Sequence, residues 1–330
     1  GYSRDEANAR LARNHGMIPT NQAAYRPDID GLRAVAVLSV VLFHAFPALL
    51  PGGFVGVDVF FAISGYLITG ILLRQERSSV GGFYARRVRR IFPALLLVLA
   101  VCLAFGFLTM IAVELQGLGK HTAAGALSAA NLMLWSEAGY FAAAAQTQPL
   151  LHLWSLGVEE QYYLVWPWFV ALLRHRRGFV PLLLLTSLAS FAHCMWTTRS
   201  ASSTAFYMPS TRFWELAAGS ALAIWHVRWP RAELASSTRG MELAAWIGSL
   251  LLAAAFAFTR EDRGFPGAWP LLPVGGAVLL MHAGPSTRVG RLLGARSCTA
   301  VGLISYPLYL WHWPLLSFGR TLLGDDGLRS

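Results

Sequence analysis

Long apolar runs separated by short polar segments dominate the chain. Stretches of nearly membrane-spanning length fall at about 33–50, 54–73, 91–113, 151–173, 179–197, 213–227, 242–258, 268–283 and 301–323. As a helix, a run of roughly 20 apolar residues matches the hydrocarbon thickness of a bilayer. The pattern therefore predicts nine transmembrane helices. A tenth candidate, 121–137, is weaker, because Lys120, His121 and Asn131 accompany a stretch rich in Ala and Gly. Residues 1–32 are polar, mixed in charge and punctuated by Pro19 and Pro27. They lack the charged, apolar, small order of a cleavable signal and read as a cytoplasmic leader. Residues 33–323 form the membrane domain, and "GDDGLRS", 324–330, is a polar tail.

The polar segments set the orientation. Loop 74–90 holds six Arg, and loops 174–177, 228–239 and 288–296 hold three each. Loops 45–53 and 136–149 hold none, while the two Arg of 259–263 are offset by Glu261 and Asp262. Short basic loops stay cytoplasmic. All four Arg-rich loops share one side only if 121–137 does not cross, so that segment is expected to lie on or dip into the outer side. Nine spans then leave the amino terminus inside and the tail outside. The expected fold is an all-α polytopic bundle of about nine spans plus one outer-side or re-entrant helix.

Composition agrees. Hydrophobic residues make up 55% and charged residues 13%, against about 25% charged in a soluble domain. The net charge of +10 reflects topology, since the basic clusters alternate with spans and do not line one soluble face. Nucleic acid is therefore not an expected partner; the lipid bilayer is. Cys102, Cys194 and Cys298 are scattered without metal spacing, so neither a disulfide framework nor a metal site is expected.

Ionisable residues inside apolar runs are costly and call for a job or a partner. Arg33 opens the first run and His44 sits eleven residues on. At 100° and 1.5 Å per residue they share a helix face, about 16 Å apart. They cannot touch, but one long ligand can reach both, anionic at the mouth and reactive at the far end. The plainer alternative is a snorkelling Arg and a satisfied core His. In "GGFVGVDVFFAISGYLIT", Asp58 is a carboxylate in apolar surroundings, and His44 is its expected partner. Ser64 and Gly65 allow close helix approach or a hydroxyl facing the site.

In "FYARRVRRIFP", Arg86, Arg87, Arg89 and Arg90 precede a span. They anchor the loop inside, and four planar forks so close together also suit phosphate. "PLLHLWSLGVEEQYYLVWPW" sets His152, Glu159, Glu160 and Gln161 among apolar residues. One carboxylate is expected to stabilise the helix amino terminus and the other to reach inward. Arg212 and Glu215 are three apart and can pair on one helix face. "ISYPLYLWHWPLL" places Tyr306, Tyr309, Trp311, His312 and Trp313 together, either as an aromatic belt or as a platform for a sugar.

These stretches, with "YRPDIDGLRAVAVLSVVLFH", resemble in their order the motifs of the acyltransferase family 3 membrane proteins, nearest the bacterial O-antigen and lipopolysaccharide O-acetyltransferases. The resemblance runs from about Tyr25 to about Leu323. It implies transfer of an acetyl group from cytoplasmic acetyl-CoA to a hydroxyl of a cell-envelope glycan or lipid-linked oligosaccharide, across the bacterial inner membrane. The family's Arg-ten residues-His motif falls on Arg33 and His44. Its Arg-x-x-Arg motif falls on Arg86/Arg89 or Arg87/Arg90. Its phenylalanine-rich Ser-Gly motif falls on Phe60–Gly65, with Ala62 where Val is more usual. Members commonly continue into a further span with a Glu-Arg-Pro-like end and often a periplasmic domain, so the chain is expected to stop short of a final span.

Arg33, Ser64 and the Arg86–Arg90 cluster are thus expected to hold the donor. His44 is the expected general base or acyl carrier, oriented by Asp58. His152, Glu159, Glu160, Arg212, Tyr309, Trp311 and His312 are expected to face the acceptor. The rivals are another acyl group or acceptor, and a proton-coupled transporter; inverted repeats, frequent in transporters, are not visible in this sequence.

The topology is open to cysteine labelling in a cysteine-free background, using a membrane-impermeant thiol reagent on spheroplasts. Cysteines at Gln146 and Gly327 should react from outside, and one at His175 only after lysis. Outside labelling at His175 would place another span between Glu114 and Pro149.

Overall fold

The computed structural model describes residues 25–74, 80–138, 148–229 and 238–327. Their regular elements are helical. In chain order they are α1 (Pro27–Ala45), α2 (Gly56–Arg74, after a 3-10 turn at Gly53–Val55), α3 (Val80–Thr109), α4 (Ala112–Ala126), α5 (Ala130–Glu137), α6 (Leu153–Leu173) and α7 (Phe179–Ser200). There follow α8 (Ser202–Tyr207), α9 (Pro209–Arg228), α10 (Arg239–Phe258), α11 (Leu271–Ala283), α12 (Arg288–Leu293), α13 (Arg296–Leu303) and α14 (Ser305–Gly327). Each of the nine apolar stretches coincides with a helix: α1, α2, α3, α6, α7, α9, α10, α11 and α14.

The protein is a multi-pass membrane protein. Gly53–Arg74, Val80–Thr109, Phe179–Ser200 and Arg239–Phe258 are each long and apolar enough to cross a bilayer. Other long helices carry the ionisable and aromatic residues that face the interior. Burial separates two roles among the four apolar helices. The apolar window of α2 is 72% buried, against 22% for α7 and α10, so α2 is central and the others peripheral. Leu184, Leu185 and Leu188 on α7 and Leu243, Trp246 and Leu250 on α10 are exposed. Such a surface is ordinary against lipid and a liability in water.

α2 packs most extensively on α9. Gly65 and Gly219 make this possible: a Cβ on Gly65 would strike the Leu216 carbonyl, and one on Gly219 the Ala62 carbonyl. Without a hydrophobic driving force in lipid, such close backbone approach is a main source of helix association. Hydroxyls then bond across the seam. Thr69 donates to Ser220 at 2.8 Å, the Trp166 indole donates to Thr69 at 2.7 Å, and Tyr162 meets Ser220 at 2.6 Å. One small polar network ties α2, α6 and α9 in an apolar setting.

The tenth candidate is broken in two. α4 ends at Ala126 and α5 runs only from Ala130 to Glu137, with Ser128 between them at a φ of 56°. Eight residues of helix reach about 12 Å, well short of the roughly 30 Å hydrocarbon core. His121 Nε2 lies 2.9 Å from Glu137 Oε2 and folds the pair back on itself. Gln161 of α6 donates to Asn131 at 2.8 Å and to the Ser128 carbonyl at 2.9 Å, docking the break against α6.

Gly219→Leu should force α2 and α9 apart and cost about 1–3 kcal/mol or more, read as a lower thermal midpoint in detergent. A midpoint unchanged from wild type would show that the close approach is not needed.

Candidate active site

A cavity of about 240 Å³ lies among α1, α2, α3, α6 and α14. Arg33, Arg87 and Arg90 line it, together with Ser64, Glu159, Glu160, Ser155 and Tyr309. α14 measures its length. Tyr306 Oη donates to the Ile91 carbonyl at 2.9 Å, beside the arginines. One turn on, Tyr309 Oη donates to the His152 carbonyl at 3.0 Å and lies 2.6 Å from Ser155 Oγ. Another turn on, His312 meets His44. The sequence-predicted donor and catalytic ends are therefore opposite ends of one seam.

At the arginine end the two registers differ in placement. Arg87 and Arg90 line the cavity, and Arg86 and Arg89 are not among its lining residues. The Arg87 guanidinium lies over the Tyr163 ring at 5.4 Å and the Phe83 ring at 5.6 Å, a stacking that suits Arg and not Lys. Arg33 enters from α1 and pairs with Asp30 at 3.3 Å.

The carboxylates sit midway. Tyr163 Oη donates to Glu159 Oε1 at 2.6 Å, and Ser64 Oγ donates to the same oxygen. α6 begins at Leu153 and has no acidic residue in its first turn. Glu159 and Glu160 thus lie past the turn where a carboxylate complements the helix dipole. That expected role fails, and both carboxylates face the cavity instead.

At the far end three imidazoles gather from α1, the start of α6 and α14. His44 Nδ1 is 3.1 Å from His312 Nε2, and the rings stack at 5.2 Å. The His152 ring is 5.6 Å from His312 and 5.5 Å from Tyr309. Trp313 meets the His44 ring edge-on at 4.6 Å, and Arg320 donates to the His44 carbonyl at 2.5 Å. Among the described residues no group of three or more His, Cys, Asp or Glu is placed to hold a metal ion.

Three expected placements differ. Asp58 does not pair with His44. It meets Arg212 Nη2 at 3.1 Å, while Arg212 Nη1 donates to Glu215 at 2.7 Å. The Arg212–Glu215 pairing follows the sequence spacing, but the triad is a core element: Arg212 is 1% exposed and boxed by Phe61, Trp154, Phe206 and Phe265 at 5.3–5.9 Å. A charge buried so deeply needs its counter-charges more than it needs a ligand, and Arg212 is not among the cavity-lining residues. Trp311 packs against the cluster that contains Leu95, Val98 and Phe318 and is not among the cavity-lining residues.

Sequence reading missed Ser155, Tyr163 and Arg320. No spacing rule marks a Ser or Tyr on an apolar helix as site-facing. Tyr163 was visible only as the residue four past Glu159, a same-face spacing.

Residues 26–329 match the family model of the acyltransferase domain. The chain is 34% identical over 319 residues to a putative membrane-bound transacylase, BcsY, of Komagataeibacter xylinus, covering 95% of this chain and 78% of that protein. It is 33% identical to a putative peptidoglycan O-acetyltransferase, YrhL, of Bacillus subtilis, covering 90% of this chain and 49% of that protein. It is 30% identical to the peptidoglycan O-acetyltransferase OatA of Listeria monocytogenes, covering 91% and 50%. The chain thus spans about half the length of these two O-acetyltransferases. No solved structure matches it.

Arg212 and Arg87 should fail differently. Arg212→Met leaves two buried carboxylates without their cation and should cost about 3–5 kcal/mol of stability. Arg87→Met should leave the thermal midpoint near wild type. Equal midpoints in both variants would remove Arg212 from its structural role.

Proposed function

This chain belongs to the acyltransferase domain family and is an acyltransferase, and we propose that it moves an acetyl group from acetyl-CoA to a hydroxyl of a cell-envelope glycan. The observation that carries this reading is the seam itself, with cationic arginines on the wall of a cavity that runs to Tyr309 and the His44 cluster one turn beyond it along α14. In this proposal the arginines lie at the cytoplasmic face of the bacterial inner membrane, with the amino terminus inside and nine spans. The His44 end is then reached by the glycan from outside.

Arg33, Arg87 and Arg90 hold the donor's phosphates, because guanidinium forks match phosphate oxygens in pairs. The donor's acyl-bearing arm runs along α2 past Ser64 and Glu159 toward Tyr309. His44 acts as general base. It takes the proton of the acceptor hydroxyl; the alkoxide oxygen bonds to the acetyl carbonyl carbon. The carbon–sulfur bond breaks, and the leaving thiolate takes the proton back from the imidazolium. His152 stands beside His312 at the acceptor's end, and Glu160 faces the donor cavity. The similarity to peptidoglycan O-acetyltransferases favours peptidoglycan as acceptor, and the motif resemblance favours an O-antigen or lipopolysaccharide sugar; both are envelope glycans with free hydroxyls.

Purified protein with labelled acetyl-CoA should label one of peptidoglycan fragments, lipopolysaccharide or a lipid-linked oligosaccharide. Donor loss in the presence of all three with no labelled glycan would remove the acceptor class. His44→Ala should keep its thermal midpoint and lose about 10²–10⁴-fold in kcat; near-normal turnover would remove the base assignment.

Arg87→Lys and Arg90→Lys keep the charge and lose the planar fork. Each should raise the KM for acetyl-CoA about tenfold, the loss of roughly 1.4 kcal/mol, with the glycan KM little changed. Arg86→Lys and Arg89→Lys should move it less. An unchanged donor KM in the Arg87 and Arg90 variants would reduce the cluster to an anchor of topology.

A further inference from the structure

The His44 imidazole is held by α14 at three points. Its ring nitrogen Nδ1 meets His312 Nε2 at 3.1 Å, Trp313 meets the ring edge-on at 4.6 Å, and Arg320 bonds its backbone carbonyl. The hydrogen-bond chain beyond His312 gives this arrangement a direction. His312 Nδ1 lies 2.5 Å from the Tyr309 carbonyl. A carbonyl oxygen only accepts, so that nitrogen carries the hydrogen. A neutral imidazole has one N–H and one bare nitrogen. His312 Nε2 is therefore the bare one and can only accept. The hydrogen between the two rings then belongs to His44 Nδ1, and His44 Nε2 is left with its lone pair. Among the described residues nothing bonds His44 Nε2.

We infer that His312 is a positioning residue that fixes His44 in the Nδ1–H tautomer, so that Nε2 is the atom that takes the acceptor's proton. This deepens the general-base reading above and rests on it. The acceptor O–H bond breaks, its proton goes to Nε2, and His44 becomes an imidazolium whose Nδ1–H still faces His312. After the oxygen–carbon bond forms and the carbon–sulfur bond breaks, Nε2 returns that proton to the thiolate. The Tyr309 carbonyl anchors the relay, and the Tyr309 ring lines the cavity. One residue of α14 thus connects the donor's path to the tautomer of the base. Without an anchored partner both tautomers of His44 would populate, and part of the enzyme would present an N–H to the hydroxyl where a lone pair is required.

The test uses the full chain in detergent, labelled with 15N-histidine, at a pH where His44 is neutral. The His44 resonances are those lost in His44→Ala. Wild type should show a protonated Nδ1 and a bare Nε2. His312→Leu should give a tautomer mixture and lower kcat about 10-fold or more, within the range general-base catalysis supplies, with the acetyl-CoA KM and thermal midpoint near wild type. His312→Gln places a carbonyl oxygen where Nε2 stood, and should restore both the tautomer and most of kcat. Turnover is read with labelled acetyl-CoA and solubilised cell-envelope glycan. A wild-type His44 protonated at Nε2 would overturn the proposal whatever the activity, as would an unchanged tautomer and kcat in His312→Leu. If His44→Ala keeps its turnover while the tautomer is as stated, the general-base reading falls and the tautomer assignment stands.

Discussion

One guanidinium buried between two carboxylates holds the centre of this bundle. Arg212 on α9 bridges to Asp58 at the first turn of α2 and to Glu215 one turn along its own helix. All three are at most 1% exposed. In a medium without water such charges have nowhere else to turn, so α2 and α9 are held in a single register at that level. The Gly65–Gly219 approach holds them at another. α2 forms one wall of the cavity, and the register of α2 decides that Ser64 meets Glu159.

The same physics explains why the helices richest in buried ionisable groups, α6 and α9, are not among those that qualify as membrane spans by length and composition alone. α6 carries two carboxylates, and α9 carries Arg212 and Glu215, two members of the buried triad. Each gains its place because neighbours supply the missing partners. Tyr163 and Ser64 bond Glu159, and Gln161 and Asn131 bond each other. The periphery, α7 and α10, has no such duty and stays apolar against lipid.

α14 is where structure and chemistry join. Its successive inward-facing residues, Tyr306, Tyr309 and His312, bond in turn to α3, to the start of α6 and to the end of α1. The helix therefore fixes the distance between the arginine end and the histidine end. A shift of α14 by one turn would break all three bonds together.

The sequence by itself determined the helices, their order and much of the site. Apolar run length is set by bilayer thickness, a constraint independent of tertiary detail, which is why nine stretches coincide with nine helices. The Arg33–His44 interval and the Arg212–Glu215 spacing follow from helix periodicity alone. What needed the tertiary structure was every choice between helices. Asp58 was expected to meet His44, and only the packing of α2 on α9 gives it Arg212 instead. The arginine register was doubled, and only the rotation of α3 puts Arg87 and Arg90 on the cavity wall. His312 and Trp311 are adjacent, and only the seating of α14 sends one to His44 and the other into the packing against α3. A helical repeat places side chains around an axis, but the orientation of that axis among its neighbours is decided by close packing and by buried polar groups finding their partners.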